Sequence, residues 1–388
     1  YEVQRSLAAG FNNINFTNTD ITTGDITYKK VWKGAKSDEA KFGLFVKDGN
    51  ELVKARKGND EISPVSADED GNITFKGVDF AKYSAENYVV RELNKEGEPV
   101  ENEATIELND TTPAGDSVVK KYQVTYDDSA KTITNTELID ITVTKTWGDN
   151  VPQSERKSVT VGVFKTAGTE PVKEKELKDG KWTYKFENLP YVDGGYQVKE
   201  TKINGVAVNG DLQKLYKVEV KNGDNITATR DNVEITNDFN IEVSEDKIKV
   251  VKQWTVEPKD ITVSLFTKVE THAGSVWARV DKIVVADGNN RVLEAEFDKP
   301  AEGTEYEILE TAIGDVALSE DAIKSILNDE NNYPTQYKID DYDVRVHEIN
   351  DNVFFIKNTN DKLLTELTVI KHWSDRTPAK YIKPVKVQ

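Results

Sequence analysis

The stretch Ile141–Asp149, ITVTKTWGD, decides how this chain is read. Extended backbone sends successive side chains to opposite faces, so Ile141, Val143, Lys145 and Trp147 share one face and Thr142, Thr144 and Thr146 share the other. The first face is apolar except for Lys145. A strand with one buried side is the natural reading, and that strand carries an ammonium group toward its own core.

The pattern recurs. ITYKKVW (Ile26–Trp32), IKVVKQW (Ile248–Trp254) and LTVIKHW (Leu367–Trp373) place further lysines at 30, 252 and 371. Between them lies a second motif: YVVRE (Tyr88–Glu92), YQVKE (Tyr196–Glu200) and YEILE (Tyr306–Glu310). A third closes each interval: KTITNT (Lys131–Thr136), VEITND (Val233–Asp238) and FFIKNT (Phe354–Thr359). An extra copy of the third, INFTNT (Ile14–Thr19), stands before any whole unit. A period of this size means one small domain per repeat. The expected organisation is the tail of one repeat (1–20), three whole repeats (21–137, 138–240 and 241–361) and the first strand of another (362–388).

Composition agrees with several small cores. Of 388 residues only 37% are hydrophobic, while 31% are charged. The net charge of −18 argues against a nucleic-acid surface or contact with an anionic membrane. No apolar run is long enough to span a bilayer, and no signal peptide is evident. Beginning at Tyr1 and lacking Met, the chain reads as a mature product or an excised piece. It has no Cys and three scattered histidines, His272, His347 and His372, so disulfides, thiolate metal sites and a histidine cluster are not expected. No cofactor is expected either. Asp68–Asn72, DEDGN, lacks the ligand spacing of a calcium loop and sits where a hairpin turn belongs.

Between the motifs, VTVGVF (Val159–Phe164), ITVSLF (Ile261–Phe266) and AKFGLFV (Ala40–Val46) are short runs rich in β-branched and aromatic residues. Asp-Gly pairs at 48–49, 70–71, 179–180 and 287–288 supply hairpin turns. The fold class is all-β, a β-sandwich or partly open barrel per repeat. SEDAIKSIL, with Ser319 as N-cap, is the one expected helix, an insert of the third repeat alone. Short linkers between repeats imply a stiff rod.

The parity used for Lys145 also applies to the other motifs. Tyr196, Val198 and Glu200 share a face, as do Val233, Ile235 and Asn237. The same holds for Tyr88, Val90 and Glu92 with Ile133 and Asn135, and for Tyr306, Ile308 and Glu310 with Ile356 and Asn358. Each repeat therefore aims a Lys, a Glu and an Asn at its core. A buried pair of charges costs several kcal/mol per ion by general estimate, so a set repeated this way suggests chemistry. Burial lowers the pKa of Lys and raises that of Glu. A proton passed from ammonium to carboxylate leaves a nucleophilic amine and an acid able to hydrogen-bond the carboxamide. Attack with loss of ammonia would join Lys Nζ to the Asn side chain. The bland alternative is an ordinary buried salt bridge with Asn hydrogen-bonded beside it.

ITVTKTW, FENLPYVDGGYQVKE and VEITND resemble the first, middle and last strands of Cna protein B-type (CnaB) domains, Gram-positive surface modules with self-formed Lys–Asn isopeptide bonds. The likeness covers nearly the whole chain, as three motifs in the same order three times. It implies tandem immunoglobulin-like β-sandwiches and assigns Lys30–Glu92–Asn135, Lys145–Glu200–Asn237 and Lys252–Glu310–Asn358 as cross-linking sets, with Glu92, Glu200 and Glu310 catalytic. The chain departs from the pattern between motifs: the Leu189-Pro190 of the second repeat has no counterpart in the first or third. Asn18 and Lys371 lack a matching Glu strand and are expected to stay unlinked. The Trp two residues after each Lys (Trp32, Trp147, Trp254 and Trp373) is expected to pack and to shield the site.

The implied function is structural, a stalk segment of a cell-wall-attached adhesin or pilus component outside the cell. The chain is then no enzyme beyond one autocatalytic turnover per domain. Neighbouring repeats are its expected partners, and a host matrix or cell-surface ligand is expected to be met outside this segment. The alternatives are a matrix-binding module, recognisable by an exposed apolar patch on the divergent third repeat, and a sortase-polymerised pilin. No LPxTG-like signal or pilin lysine motif appears in these residues.

Overall fold

The computed structural model describes residues 2–7, 14–19, 22–111, 117–208, 210, 212–240, 242–286, 290–329 and 335–360. The expected strand around Lys371 and Trp373, with His372, and the Asp287-Gly288 turn lie outside the described residues. Strands dominate, as the alternating pattern and β-branched runs require. Two compact units form: Tyr1–Thr146 with Ser158–Gly205 and Glu219–Thr236, and Trp147–Lys157 with Val206–Val218 and Asn237–Gln388.

The first unit contains the first repeat. One sheet runs Thr105–Thr111, Ser117–Asp127, Thr132–Trp147, Thr23–Lys33 and Asn72–Asp79; the Thr23–Lys33 and Thr132–Trp147 strands are parallel and the other pairs antiparallel. The second sheet is Glu51–Lys54, Phe42–Asp48 and Tyr88–Glu92. Ile26, Tyr28, Phe42, Ile73, Val90, Tyr122, Val124 and Ile133 fill the core. Full burial of such side chains stabilises by roughly 1.5–3 kcal/mol each.

Where two strands and a linker were expected between the first and second repeats, one strand, Thr132–Trp147, runs through. Its buried positions alternate without a change of phase from Ile133 to Lys145, and no Gly or Pro interrupts it. The closing strand of one repeat is thus the opening strand of the next. At the crossing, Glu137 is buried; it accepts a hydrogen bond from Ala35 N at 2.7 Å and lies 3.6 Å from Lys120 Nζ. Gly34 is required there, because a Cβ would come within 2.5 Å of the Glu137 carboxylate.

The second repeat sets Thr183–Pro190 antiparallel to that shared strand, with Arg230–Phe239 as its other neighbour. Its facing sheet is Pro171–Lys178, Ser158–Lys165, Tyr196–Ile203 and Val206–Ala207. A one-turn helix, Leu212–Leu215, joins the expected insert helix, so helix is not confined to the third repeat.

In the second unit the third repeat orders Val292–Asp298, Lys247–Trp254, Val353–Thr359, Tyr342–Asn350 and Thr335–Ile339 in one sheet. The other holds Gly274–Val285, Ile261–Thr271, Tyr306–Ile313 and Val316–Ala317. Lys247–Trp254 and Val353–Thr359 are parallel, matching the first repeat. The insert helix is Glu320–Leu327, its N-terminus capped by Ser319 Oγ accepting from Ala322 N at 3.2 Å. Ile323 sits with Phe266 and Leu309 in a small outer cluster. Each of the three repeats is thus an all-β sandwich of two sheets.

Candidate functional site

The parallel pairing decides where the site lies. Lys30 stands opposite Ile133 and Trp32 opposite Asn135, so Lys and Asn project from adjacent central strands into the sandwich. Glu92 enters from the facing sheet, paired with Phe42. Its carboxylate bridges the two: Lys30 Nζ donates to Oε2 at 3.2 Å, and Asn135 Nδ2 donates to Oε1 at 2.9 Å. Glu92 and Asn135 are fully buried, and the Lys30 side chain nearly so. Lys30 Nζ lies 4.3 Å from the Trp32 ring centroid, which covers it as expected.

The third repeat repeats this geometry with different neighbours. Lys252 stands opposite Ile356 and Trp254 opposite Asn358; Glu310 faces them, paired with Val263. Lys252 Nζ lies 3.7 Å from Glu310 Oε2, and Asn358 Nδ2 donates to Oε1 at 2.5 Å. The Trp254 ring centroid is 4.0 Å from the amine. In both repeats the Asn Oδ1 is buried without a hydrogen-bond partner.

In the second repeat Lys145, Glu200 and Asn237 are all buried, as parity required. Lys145 Nζ donates to the Thr146 carbonyl, and Glu200 lies opposite Val161 in the facing sheet. Thr146 and Thr236 hydroxyls meet at 2.7 Å, and the corresponding positions of the first repeat, Val31 and Thr134, are register partners.

Burial outweighs ion pairing at both bridged lysines. It lowers Lys30 to about 8, against the opposing pull of Glu92, and Lys252 to about 7, against that of Glu310. A nearby like charge, Lys357, adds to the lowering of Lys252. Burial raises Glu310, with Lys252 and Asn358 opposing. In the third repeat these shifts move Lys252 and Glu310 toward a neutral amine and a neutral acid.

Parity did not reveal several buried polar groups. Tyr126 OH receives Glu92 N at 3.2 Å, and Tyr337 OH receives Glu310 N at 2.8 Å. Arg91, on the face opposite Glu92, pairs with both oxygens of Asp128 at 2.8 Å, and Tyr28 OH reaches the same carboxylate at 3.1 Å. In the second unit buried Lys357 pairs with buried Glu155. The available signal was a Tyr or charge on an inward position. No shared spacing linked these residues. Asp68–Asn72 is a turn, its Asp68 carboxylate taken by Asn72 N and Nδ2 at 2.7 and 3.1 Å.

The fold and site together define a tandem array of β-sandwiches with a buried Lys, Glu and Asn at equivalent positions of each. Residues 141–238 match the family model of the Cna protein B-type domain, and this repeat belongs to that family. The chain is also similar to a collagen adhesin of Staphylococcus aureus, with 26% identity over 221 residues, covering 53% of this chain and 16% of the relative. It therefore spans about a sixth of that relative's length. Among solved structures, two B repeat units of the collagen binding protein of Staphylococcus aureus match at 18% identity and a TM-score of 0.21, over 87% of this chain and 74% of that one. The major pilin of Streptococcus pyogenes matches at 16% identity and a TM-score of 0.19, over 56% of this chain and 99% of the pilin. Repeats of this type thus occur in adhesins.

Proposed function

We propose that the chain is a stalk segment of an extracellular, cell-wall-attached adhesin or pilus component, its repeats closed by Lys–Asn isopeptide bonds. The observation that carries this reading is the carboxylate of Glu92 bonded to both Lys30 and Asn135 inside a buried core; in the third repeat Glu310 is bonded to Asn358 and lies 3.7 Å from Lys252. The cross-links are Lys30–Asn135, Lys145–Asn237 and Lys252–Asn358, assisted by Glu92, Glu200 and Glu310.

In the ion-paired state of the first repeat Glu92 accepts from both partners and leaves Asn135 Oδ1 unsatisfied; in the third, Glu310 accepts from Asn358, and Lys252, 3.7 Å from its carboxylate, donates to the Gln253 carbonyl at 3.3 Å. Transfer of one proton from ammonium to carboxylate gives an amine lone pair and a carboxylic acid. Rotation of the Asn carboxamide then lets that acid donate to Oδ1, polarising the carbonyl and filling the vacant hydrogen bond. Lys Nζ attacks Cγ, forming the C–N bond. Glu carries the amine proton to the departing nitrogen, and the old C–N bond breaks with release of ammonia. When ammonia leaves, Glu still holds the proton it took from the ammonium; passing that proton to the departing ammonia, which goes out as ammonium, returns Glu to its carboxylate, and no outside reactant is consumed. Fixed strands supply the effective concentration.

Mechanically, the bond joins the first strand of a repeat to its last, so the chain between them leaves the load path. Peptide mapping tests the reaction. Each bond removes one ammonia, about 17 Da, from a peptide pair that trypsin cannot separate. Unlinked Lys and Asn peptides would overturn it.

One observation favours a second role, as a matrix-binding module. The third repeat exposes Val276, Val280 and Val284 along strand Gly274–Val285, with Val269 opposite Val276. Binding of the chain to immobilised matrix proteins, lost on changing these valines to Thr, would support that role.

A further inference from the structure

The glutamate strands share a structural need that the reaction does not explain. In the first repeat Tyr88–Glu92 is the edge of its sheet. In the third, the strand beyond Tyr306–Ile313 has two residues and pairs only with Ala312 and Ile313. The outward amide of each Glu therefore has no strand to bond to, although it is buried. An unpaired buried N–H costs as much as a lost hydrogen bond.

A tyrosine hydroxyl fills the place in both repeats, and it comes from the opposite sheet. Tyr126, on Ser117–Asp127, accepts from Glu92 N at 3.2 Å and donates to Val100 O at 3.0 Å; Val100 N in turn donates to Glu92 O at 2.8 Å. Tyr337, on Thr335–Ile339, accepts from Glu310 N at 2.8 Å and donates to Glu310 O at 2.9 Å. A phenol can do this because it is donor and acceptor at once. Burial and the nearby carboxylate push both phenols above their ordinary value, so both stay protonated.

These tyrosines belong to the sheets that carry Lys and Asn. Tyr126 is in register with Ile133, two residues before Asn135, and Tyr337 lies in a row with Val344 and Asn358. The two solutions use different strands of the sheet, yet each ends on the backbone of the Glu. We propose that Tyr126 and Tyr337 are positioning residues for cross-linking. Each phenol ties the Glu backbone to the facing sheet and so fixes how far the carboxyl reaches toward Lys and Asn. The proposal rests on the isopeptide reading above and adds to it what holds the acid in place. Misplacement by about 1 Å can cost a positioned reaction a hundredfold.

The test uses the full chain made by in vitro translation. Bond formation is timed by mass spectrometry of the Lys30–Asn135 and Lys252–Asn358 peptide pairs, and the folded fraction of each repeat by amide-exchange protection. Tyr337→Phe should slow the third bond roughly ten- to a hundredfold per folded molecule and leave the first unchanged. Tyr126→Phe should do the reverse. Counting per folded molecule separates positioning from stability, since a merely structural tyrosine would lower the folded fraction and leave the rate constant alone. Unchanged rate constants in both variants would overturn the proposal. Absence of ammonia loss in the unsubstituted chain would instead remove the cross-link reading itself, and the proposal with it.

Discussion

The first and third repeats hold the same three groups with different electrostatics. Lys30 lies 3.2 Å from its carboxylate and is lowered to about 8; Lys252 lies 3.7 Å from its own and is lowered to about 7. The lower value goes with the looser ion pair and with the positive neighbour Lys357. Depth of burial, more than the partner, decides how readily the amine gives up its proton. An ion pair arranged only for stability would favour the opposite, a tight pair with a raised lysine.

The largest expected effect equalises the two sites by disabling them. Glu92→Gln should abolish the first bond alone and Glu310→Gln the third alone, read from the cross-linked peptides. Each unlinked repeat reopens a loop of about a hundred residues, worth on the order of 4–5 kcal/mol by the chain-entropy model developed for disulfides. Thermal denaturation should show that loss in the affected repeat only.

The next effect sharpens the difference. Attack needs the amine neutral and the carboxyl protonated together, a pair with the same proton count as the ion pair, so the rate falls about tenfold per pH unit once that proton is lost above the lysine pKa. The falling limb should centre near 7 for the Lys252 bond and near 8 for the Lys30 bond. Time courses at pH 6 should therefore show the third bond forming faster relative to the first than at pH 9. Superimposed profiles would contradict the role given to burial.

The smallest effect tests the neighbour. Replacing the buried Glu155–Lys357 pair together, as Glu155→Met with Lys357→Met, removes the like charge near Lys252 without stranding an ion. The falling limb of the third bond should move up by a fraction of a unit, toward that of the first. Glu155→Met alone should instead destabilise the second unit by about 3–5 kcal/mol, because Lys357 is left buried and unpaired.

Much of this was legible in period-two parity. It places Lys145, Glu200 and Asn237 inward from ten or so residues of local sequence, because a strand's faces depend only on its own alternation. The shared strand Thr132–Trp147 was missed although its signal was present: Asn135, Glu137, Ile139, Ile141, Val143 and Lys145 keep one phase with no turn residue between. Motif boundaries suggested a linker where the alternation did not. Tyr126 and Tyr337 were out of reach for a different reason. Each answers an edge amide created by sheet order, a tertiary fact, and they occupy different strands. Arg91 was legible as facing away from Glu92, but its burial against Asp128 depends on a loop a long way along the chain.

Peptide-resolved mass of the intact chain tests the central claim most directly. The account predicts a loss of about 51 Da in total, about 17 Da in each of the linked pairs Lys30–Asn135, Lys145–Asn237 and Lys252–Asn358. An unshifted mass, with each lysine recovered in a free peptide, would contradict it and leave the buried Lys30–Glu92 and Lys252–Glu310 ion pairs unreacted.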